Sequence, residues 1–497
     1  MFESAKSLIQ QNKTYVWSAL ITTTVLLTIF KLIYPYPNMV LDSYYYILAA
    51  ISHADVNAWA IGYSWFLRLF GAFSHSPMLL VIFQYCFLEA ALLLFFLSFT
   101  MFFKLSLWSK RILFMLLFGN PLLLYTANFV MADALFISLS VLWITLLVWM
   151  VFKPKASLIW FHALVILLVF SVRYNALYYP FVATVTLLIS QYSLRQKILG
   201  IILQFAVIGV FIAYTSIRVG AVSGQPQFSP FGNWKTANDA LYMYGHIYQK
   251  KHDTIPHQFV TLDRLVREGF TYDGKVDDLL DYTAPFYGSI YMFYNSSGLV
   301  QYKTLLYGED TEFVNFTKMA RVGPLYGQYG AWLIRKYPTA FLQYFVAPNA
   351  CRYLFPPMEA FASLPPFFLR PDYLGHAART WFGVKTLSTS KPAIQLRTYL
   401  LSPYQNLAAF IHVLFLLSII GYAAMKGFRS LPRTELLGFL VFSSFWLFDL
   451  GFSLTAAATV MRYEIFPLII ECSVFMWLTE RIYGENAIPF PMRPQKQ

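Results

Sequence analysis

PNMVLDSYYYILAA, residues Pro37 to Ala50, is the stretch whose reading decides the fold. It follows an apolar run, Val16 to Tyr34, that ends in Pro35, Tyr36 and Pro37; proline lacks the amide hydrogen a helix interior needs, so the helix stops there. A carboxylate, Asp42, then stands just past a run of membrane length, beside the hydroxyls of Ser43, Tyr44, Tyr45 and Tyr46. A span takes roughly 20 mostly apolar residues, so this is where the chain leaves hydrocarbon and meets water. An acid among hydroxyls at that boundary suits proton transfer on a substrate carried in lipid.

The composition agrees with a membrane setting. The 497 residues are 58% hydrophobic, 19% aromatic and 12% charged, with a mean hydropathy of +0.54, outside the range of soluble globular chains. Val16 to Tyr34 is too long for a signal-peptide core and no small-residue cleavage site follows it, so it is expected to stay as the first span. The net charge of +13 gives no case for nucleic acid, because the basic residues are dispersed and no recognition module is present. Cys86 and Cys472 lie in apolar runs, which leaves Cys351 without a disulfide partner, and no zinc or redox spacing occurs.

Working outward, apolar runs recur at Met78–Phe103, Ile112–Thr126, Met131–Phe152, Leu158–Val172, Ala176–Ser190, Ile198–Ile217, Tyr404–Met425, Leu436–Leu454 and Ile465–Leu478. The expectation is an all-α polytopic membrane protein with about ten spans, in a range of about nine to twelve. Lys6, Lys13, Lys104, Lys110, Arg111, Lys153, Lys155, Arg195, Lys197, Lys426, Arg429, Arg433, Arg481, Arg493 and Lys496 fall in alternate turns and at the ends, against Arg68, Arg173 and Arg462 in the short turns opposite. The positive-inside rule then puts both termini in the cytoplasm and Asp42 outside.

Three parts follow: residues 1–218 as a first membrane module with an outside loop at 37–76, 219–402 as an extracytoplasmic insert, and 403–497 as the closing spans. The loop from Asp42 to about Phe73 is aromatic and amphipathic, as expected of interfacial helices. The insert carries 13 of the 24 acidic residues and is rich in Gly, Pro and Tyr, so a mixed, mainly helical domain is expected. Within it, Gly330 to Ala350 is apolar but interrupted by Arg335, Lys336 and Pro338, which reads as an interfacial or re-entrant helix, with an extra span as the alternative.

Candidate chemistry gathers at the outside turns. Asp42 is a candidate base, its plain alternative being to cap a helix starting at Ser43. Asp133, in NFVMADALF, is a second acid at the start of a span, where the helix dipole alone would account for it; otherwise it orients an acceptor or a divalent cation. Arg173 in SVRYNALYYP and Arg462 in TVMRYEIFPLII stand at the same face, each followed by a tyrosine, Tyr174 and Tyr463. Either they are membrane anchors, or their forked guanidinium donors hold a lipid phosphate. Ser43, Tyr44, Tyr45 and Asn175 are substrate-binding candidates. His246, His252 and His257 lack tight ligand spacing and read as loop histidines. The insert tyrosines, Tyr242, Tyr244, Tyr248, Tyr287, Tyr291 and Tyr294, are a sugar-stacking surface or an interface belt.

These pieces resemble the GT-C superfamily of polytopic glycosyltransferases that use polyprenyl-phosphate sugars, especially relatives of protein O-mannosyltransferase and lipid A aminoarabinose transferase. The resemblance is carried by LDSYYYILAA, GYSWFLRLFG, NPLLLYTANFVMADALF, VRYNALYYP and MRYEIFPLII, over about three fifths of the chain. It implies a GT-C-like fold and an inverting transfer to an acceptor hydroxyl at the outer face of a bacterial inner membrane. Asp42 would stand at the first-loop acid, Asp133 at the second, and the arginines at the carrier phosphate. The donor would be a polyprenyl-phosphate-linked sugar and the acceptor a glycan, lipid or protein; no cofactor is certain, with a divalent cation as the candidate. The departure from the family pattern is that the first loop offers one acid at the expected place, with Asp55 further on.

Two other classes stay open. An O-antigen-type polymerase or ligase would place catalytic arginines such as Arg264, Arg267 and Arg321 in the insert. A transporter or lipid flippase would use the acids inside spans, Glu89, Asp449 and Glu471, where charge is costly and faces a cavity or a partner; no paired half-repeats accompany them.

Overall fold

The computed structural model describes residues 8–250, 254–272, 291–310, 315–358, 371–383 and 390–485. His252, Tyr287, Lys6, Arg493 and Lys496 lie outside these. Among the described residues the fold is all helical, with a single isolated bridge between Asn38 and Phe129 and no strand.

Seven helices are long and apolar enough to cross a membrane, which marks the chain as membrane-embedded. They begin with α1 (Lys13–Ile33), from which α2 (Leu41–Ile51) and α3 (Gly62–Gly71) lead to the second, α4 (Pro77–Phe102). Ser76 caps α4 by accepting from the Leu79 amide, with Pro77 at its first position. The third expected span is kinked, its two helices together, Leu107–Ala127, making one of the seven candidate spans. Asn120 accepts from the Leu122 amide at 3.0 Å and Pro121 follows, so α5 (Leu107–Phe118) ends at Gly119 and a new helix, α6 (Pro121–Ala127), starts.

Next come α7 (Ala132–Phe152) and α8 (Ala156–Val172), the latter one of two apolar helices shorter than a full span. The other opens as a tight turn, Tyr174–Tyr178, and continues as α9 (Tyr179–Ile189). The Ser193–Gln196 capping box starts α10 (Leu194–Ser223), a 30-residue helix that stops at Gly224, whose φ of 86° is one glycine adopts freely.

The insert is built on α11 (Pro230–Ile247) and α14 (Phe316–Lys336), with α12 (Val260–Tyr272) and α13 (Gly298–Tyr307) between them. α11 and α14 meet through Gly323, Gly327 and Gly330, which share one face of α14. A Cβ at Gly323 or Gly327 would lie 2.5 Å from the side-chain oxygens of Gln227 and Asn233, while one at Gly330 would lie 2.5 Å from the Thr236 carbonyl oxygen, so at Gly330 only glycine lets the backbones come this close. The segment expected as one membrane-active helix over 330–350 is divided at Tyr337. After it α15 (Pro338–Phe341) runs through a wide turn, Leu342–Val346, into α16 (Ala347–Leu354), and none of this is a membrane-length apolar helix.

The described chain closes with α17 (Pro371–Phe382), α18 (Lys391–Leu401), α19 (Tyr404–Ala424), α20 (Arg433–Ala456) and α21 (Met461–Glu485). α18 and α19 together make one of the seven candidate spans and α20 another. α21 has 25 residues, long enough to cross, but carries Arg462, Glu464, Glu471, Glu480 and Arg481. If each candidate span, each of the two shorter apolar helices and α21 crosses once, the turns 34–76, 127–132, 173–178 and 456–461 and the insert helices α11 to α16 fall at one end of the bundle, and the basic turns at the other.

Candidate active site

One small set of contacts brings the first outside loop to the start of α7. The Asn38 amide donates to the Asn128 carbonyl at 2.8 Å, and the Val130 amide to the Asn38 carbonyl at 3.0 Å. Lys31 Nζ donates to Asn128 Oδ1 at 2.9 Å. From α4, Gln84 Nε2 donates to the carbonyls of Ala127 at 2.8 Å and Phe129 at 3.0 Å, while its Oε1 accepts from the Tyr63 hydroxyl at 2.6 Å. Buried backbone polar groups need such partners, and meeting that need holds Asp42 and Asp133 on neighbouring helix starts.

Asp42 does not cap its helix. The cap position is Val40, and Ser43 Oγ accepts from its amide at 3.0 Å; this buried serine secures the helix start. Asp42 sits in the first turn and its Oδ2 accepts from Arg462 Nη1 at 3.2 Å. That is longer than a tight charge-assisted bond, and the two side chains are 20% and 16% exposed, so water reaches this pair. Asp133, in the first turn of α7, forms an ion pair with Arg173 whose side chains are only 5% and 14% exposed. Burial opposes the Arg173 charge, and Asp133 together with the Tyr463 and Tyr46 hydroxyls outweighs it, so the guanidinium stays charged.

Tyr463 joins the two pairs. The Arg173 guanidinium lies 5.0 Å from its ring centre and that of Arg462 5.1 Å, and Arg462 Nη2 donates to its hydroxyl at 3.2 Å. Tyr46, fully buried, feels the charges of all four partners, and its hydroxyl is pushed up first by burial and then by Asp42. Four side chains singled out in the sequence therefore share one cluster at one end of the bundle.

Other expected residues lie around the cluster rather than in it. Tyr174 packs against Phe170, Phe211 and Phe228. Tyr45 stacks on Trp59 with ring centres 4.5 Å apart, and Tyr44 meets Tyr45 edge-on. Asn175 is half-buried on the tight turn after Arg173.

The sequence reading missed the insert's contribution. Lys235 Nζ lies 2.9 Å from Asp239 Oδ1, one helical turn away on α11, and its charge acts on Tyr463. Burial pushes the Asp239 carboxyl up to about 6 against the pull of Lys235 and Arg352. Arg352, on α16, lies 5.8 Å from the Tyr242 ring centre. The available signal was a lysine and an acid four residues apart on a helix otherwise lined by Trp234, Leu241 and Tyr242, where an isolated charge would be costly. The insert also fixes the start of α21. Asn349 Nδ2 donates to the Ala457 carbonyl at 3.0 Å, and the Met461 amide donates to the Pro357 carbonyl at 2.9 Å.

The arrangement offers one water-accessible carboxylate, a second enclosed one, and the guanidinium groups of Arg173 and Arg462 over a shared tyrosine, with the charge of Lys235 on α11 near enough to act on it. Such a site can accept a proton and hold an anion. Among the described residues no group of His, Cys, Asp and Glu side chains is placed to hold a metal ion. In comparisons with known proteins the chain matches no family model, no curated protein and no solved structure.

Proposed function

We propose that the chain is a membrane glycosyltransferase of GT-C-like fold that moves a sugar from a polyprenyl-phosphate donor to an acceptor hydroxyl, with inversion. The observation that carries this reading is the Asp42–Arg462 and Asp133–Arg173 pairs joined at Tyr463 under the insert. Asp42, the more exposed acid, takes the acceptor proton as the hydroxyl attacks the sugar carbon. The carbon–oxygen bond to phosphate breaks, and the guanidinium groups of Arg173 and Arg462 stabilise the phosphate charge that develops. Asp133 keeps Arg173 in place.

The proposed setting is a bacterial inner membrane with the cluster on the outer side. The turns bearing Lys104, Lys153, Lys155, Arg195, Lys197, Lys426 and Arg429 all lie at the opposite end of the bundle, which supports that orientation. A polymerase or ligase using insert arginines has less support: Arg267 bonds to Asp263, Tyr244 and the Tyr248 carbonyl, and Arg264 to Glu268.

The test is transfer from radiolabelled polyprenyl-phosphate sugars in membranes, with the product identified by mass spectrometry. Asp42→Asn should reduce turnover by at least about 10²-fold, the scale of a lost general base, while the protein purifies as the parent does. Unchanged turnover in Asp42→Asn would remove Asp42 as the base. Absence of any glycosylated product from the parent protein would reject the transferase.

A further inference from the structure

A second group of ionisable side chains lies inside the bundle, in α19, α20 and α21, apart from the cluster above. Glu464, in the first turn of α21, has no solvent exposure, and neither carboxyl oxygen has a hydrogen-bond partner among the described residues. The charged groups acting on it are Asp449 on α20 and Glu471 further along its own helix. Asp449 Oδ1 accepts from the Tyr178 hydroxyl at 2.7 Å, and Oδ2 from the Tyr353 hydroxyl at 3.0 Å. Glu471 Oε2 lies 2.7 Å from His412 Nδ1 on α19, both side chains being 1% exposed, and Cys472 stands beside Glu471. Elsewhere on the helices packed against α21, Asp133 is turned to Arg173 and Glu435 to Arg481.

Two carboxyls are therefore tied to one histidine, Glu471 directly and Asp449 through Tyr353, whose ring centre lies 5.3 Å from that of His412, and Glu464 acts on both from one end of the group. Ionised carboxylates buried in hydrocarbon cost several kcal/mol each and repel at short range, so the group persists by binding cations. The partners around the carboxyls are the Tyr178 and Tyr353 hydroxyls and the His412 imidazole, groups that donate and relay protons, so protons are the cations this group suits. The group is also graded in depth. Glu464 lies two residues beyond Arg462, which water reaches, and Glu471 is about 10 Å further along the helix at 1.5 Å per residue.

We propose that Glu464, Asp449, Glu471 and His412, with the hydroxyls of Tyr178 and Tyr353, form an intramembrane proton-exchange site that fills and empties from the same end of the bundle as the Asp42–Arg462 pair. The proposal stands apart from the transferase reading, and its test uses no turnover.

The test is infrared difference spectroscopy of the full chain in lipid nanodiscs, titrated from acidic to alkaline buffer in H2O and in D2O. A protonated-carboxyl stretch should appear, shift in D2O, and disappear as the buffer becomes alkaline. Glu464→Gln should remove part of that band. Glu89→Gln, which changes a buried acid on α4 outside this group, should remove only its own contribution and leave in place the part of the band that Glu464→Gln removes. Asp449→Asn and Glu471→Gln give the same readout if Glu464→Gln fails to fold. Absence of the band, a band that neither exchanges nor titrates, or one that titrates unchanged in every cluster variant would overturn the proposal. A titration displaced when sodium replaces choline would assign the site to a metal cation instead.

Discussion

Arg462 and Arg173 hold similar partners in different surroundings, and the difference sets what each can do. Arg462 meets a carboxylate that is 20% exposed through one bond of 3.2 Å, whereas Arg173 is paired with one that is 5% exposed. Removing a partner from a buried pair leaves an uncompensated charge at a cost of about 3–5 kcal/mol, while a solvent-reached pair contributes about 1 kcal/mol or less. Arg173→Ala should therefore lower the apparent Tm in detergent markedly and Arg462→Ala only slightly; equal losses would show that the two pairs are equally enclosed. These residues were legible in the sequence because a charge at the end of an apolar run stands out against its neighbours. Lys235 was not, since in the insert a lysine near an aspartate is commonplace. Only the docking of α11 against the bundle makes it a buried charge near Tyr463.

At the scale of elements, the spans were legible as apolar runs, but their interruptions were not. Hydropathy over Ile112–Thr126 is blind to the Asn120 cap that starts a new helix at Pro121, although asparagine followed by proline is itself a break signal. The interruption at Arg335, Lys336 and Pro338 was legible, and the helix does divide there, at Tyr337, but the wide turn at Leu342–Val346 was hidden, because an interrupted apolar stretch fits a re-entrant helix or two short ones. The pairing of α11 with α14 was out of reach, since it depends on which face of each helix finds the other. Its glycine line makes a clear prediction. Gly330→Ala puts a methyl where a Cβ would be 2.5 Å from the Thr236 carbonyl oxygen and 2.7 Å from the Ala237 amide nitrogen. Both are backbone atoms that cannot swing away, so overpacking of about 1–3 kcal/mol is expected. Gly209→Ala, which meets nothing within 4 Å, is the control. If the two variants melt alike, the close approach of α11 and α14 is not what holds the insert together.

For the whole molecule, the orientation in the membrane decides whether the cluster meets substrate from outside or from the cytoplasm. Helix order places Lys155 and Leu305 at opposite ends, and both side chains are exposed. Basic turns are retained in the cytoplasm during insertion, so Lys155 should face inward and the insert residue Leu305 outward. After replacement of Cys86, Cys351 and Cys472 by serine, single cysteines at the two positions can be probed in intact cells with a membrane-impermeant maleimide. Leu305→Cys should label without permeabilisation, and Lys155→Cys only after it. The reverse pattern would turn the Asp42–Arg462 and Asp133–Arg173 pairs toward the cytoplasm. Labelling of both from the same side would mean that the helices from α8 to α12 cross the membrane an even number of times, which would break the alternation on which the shared end of the cluster rests.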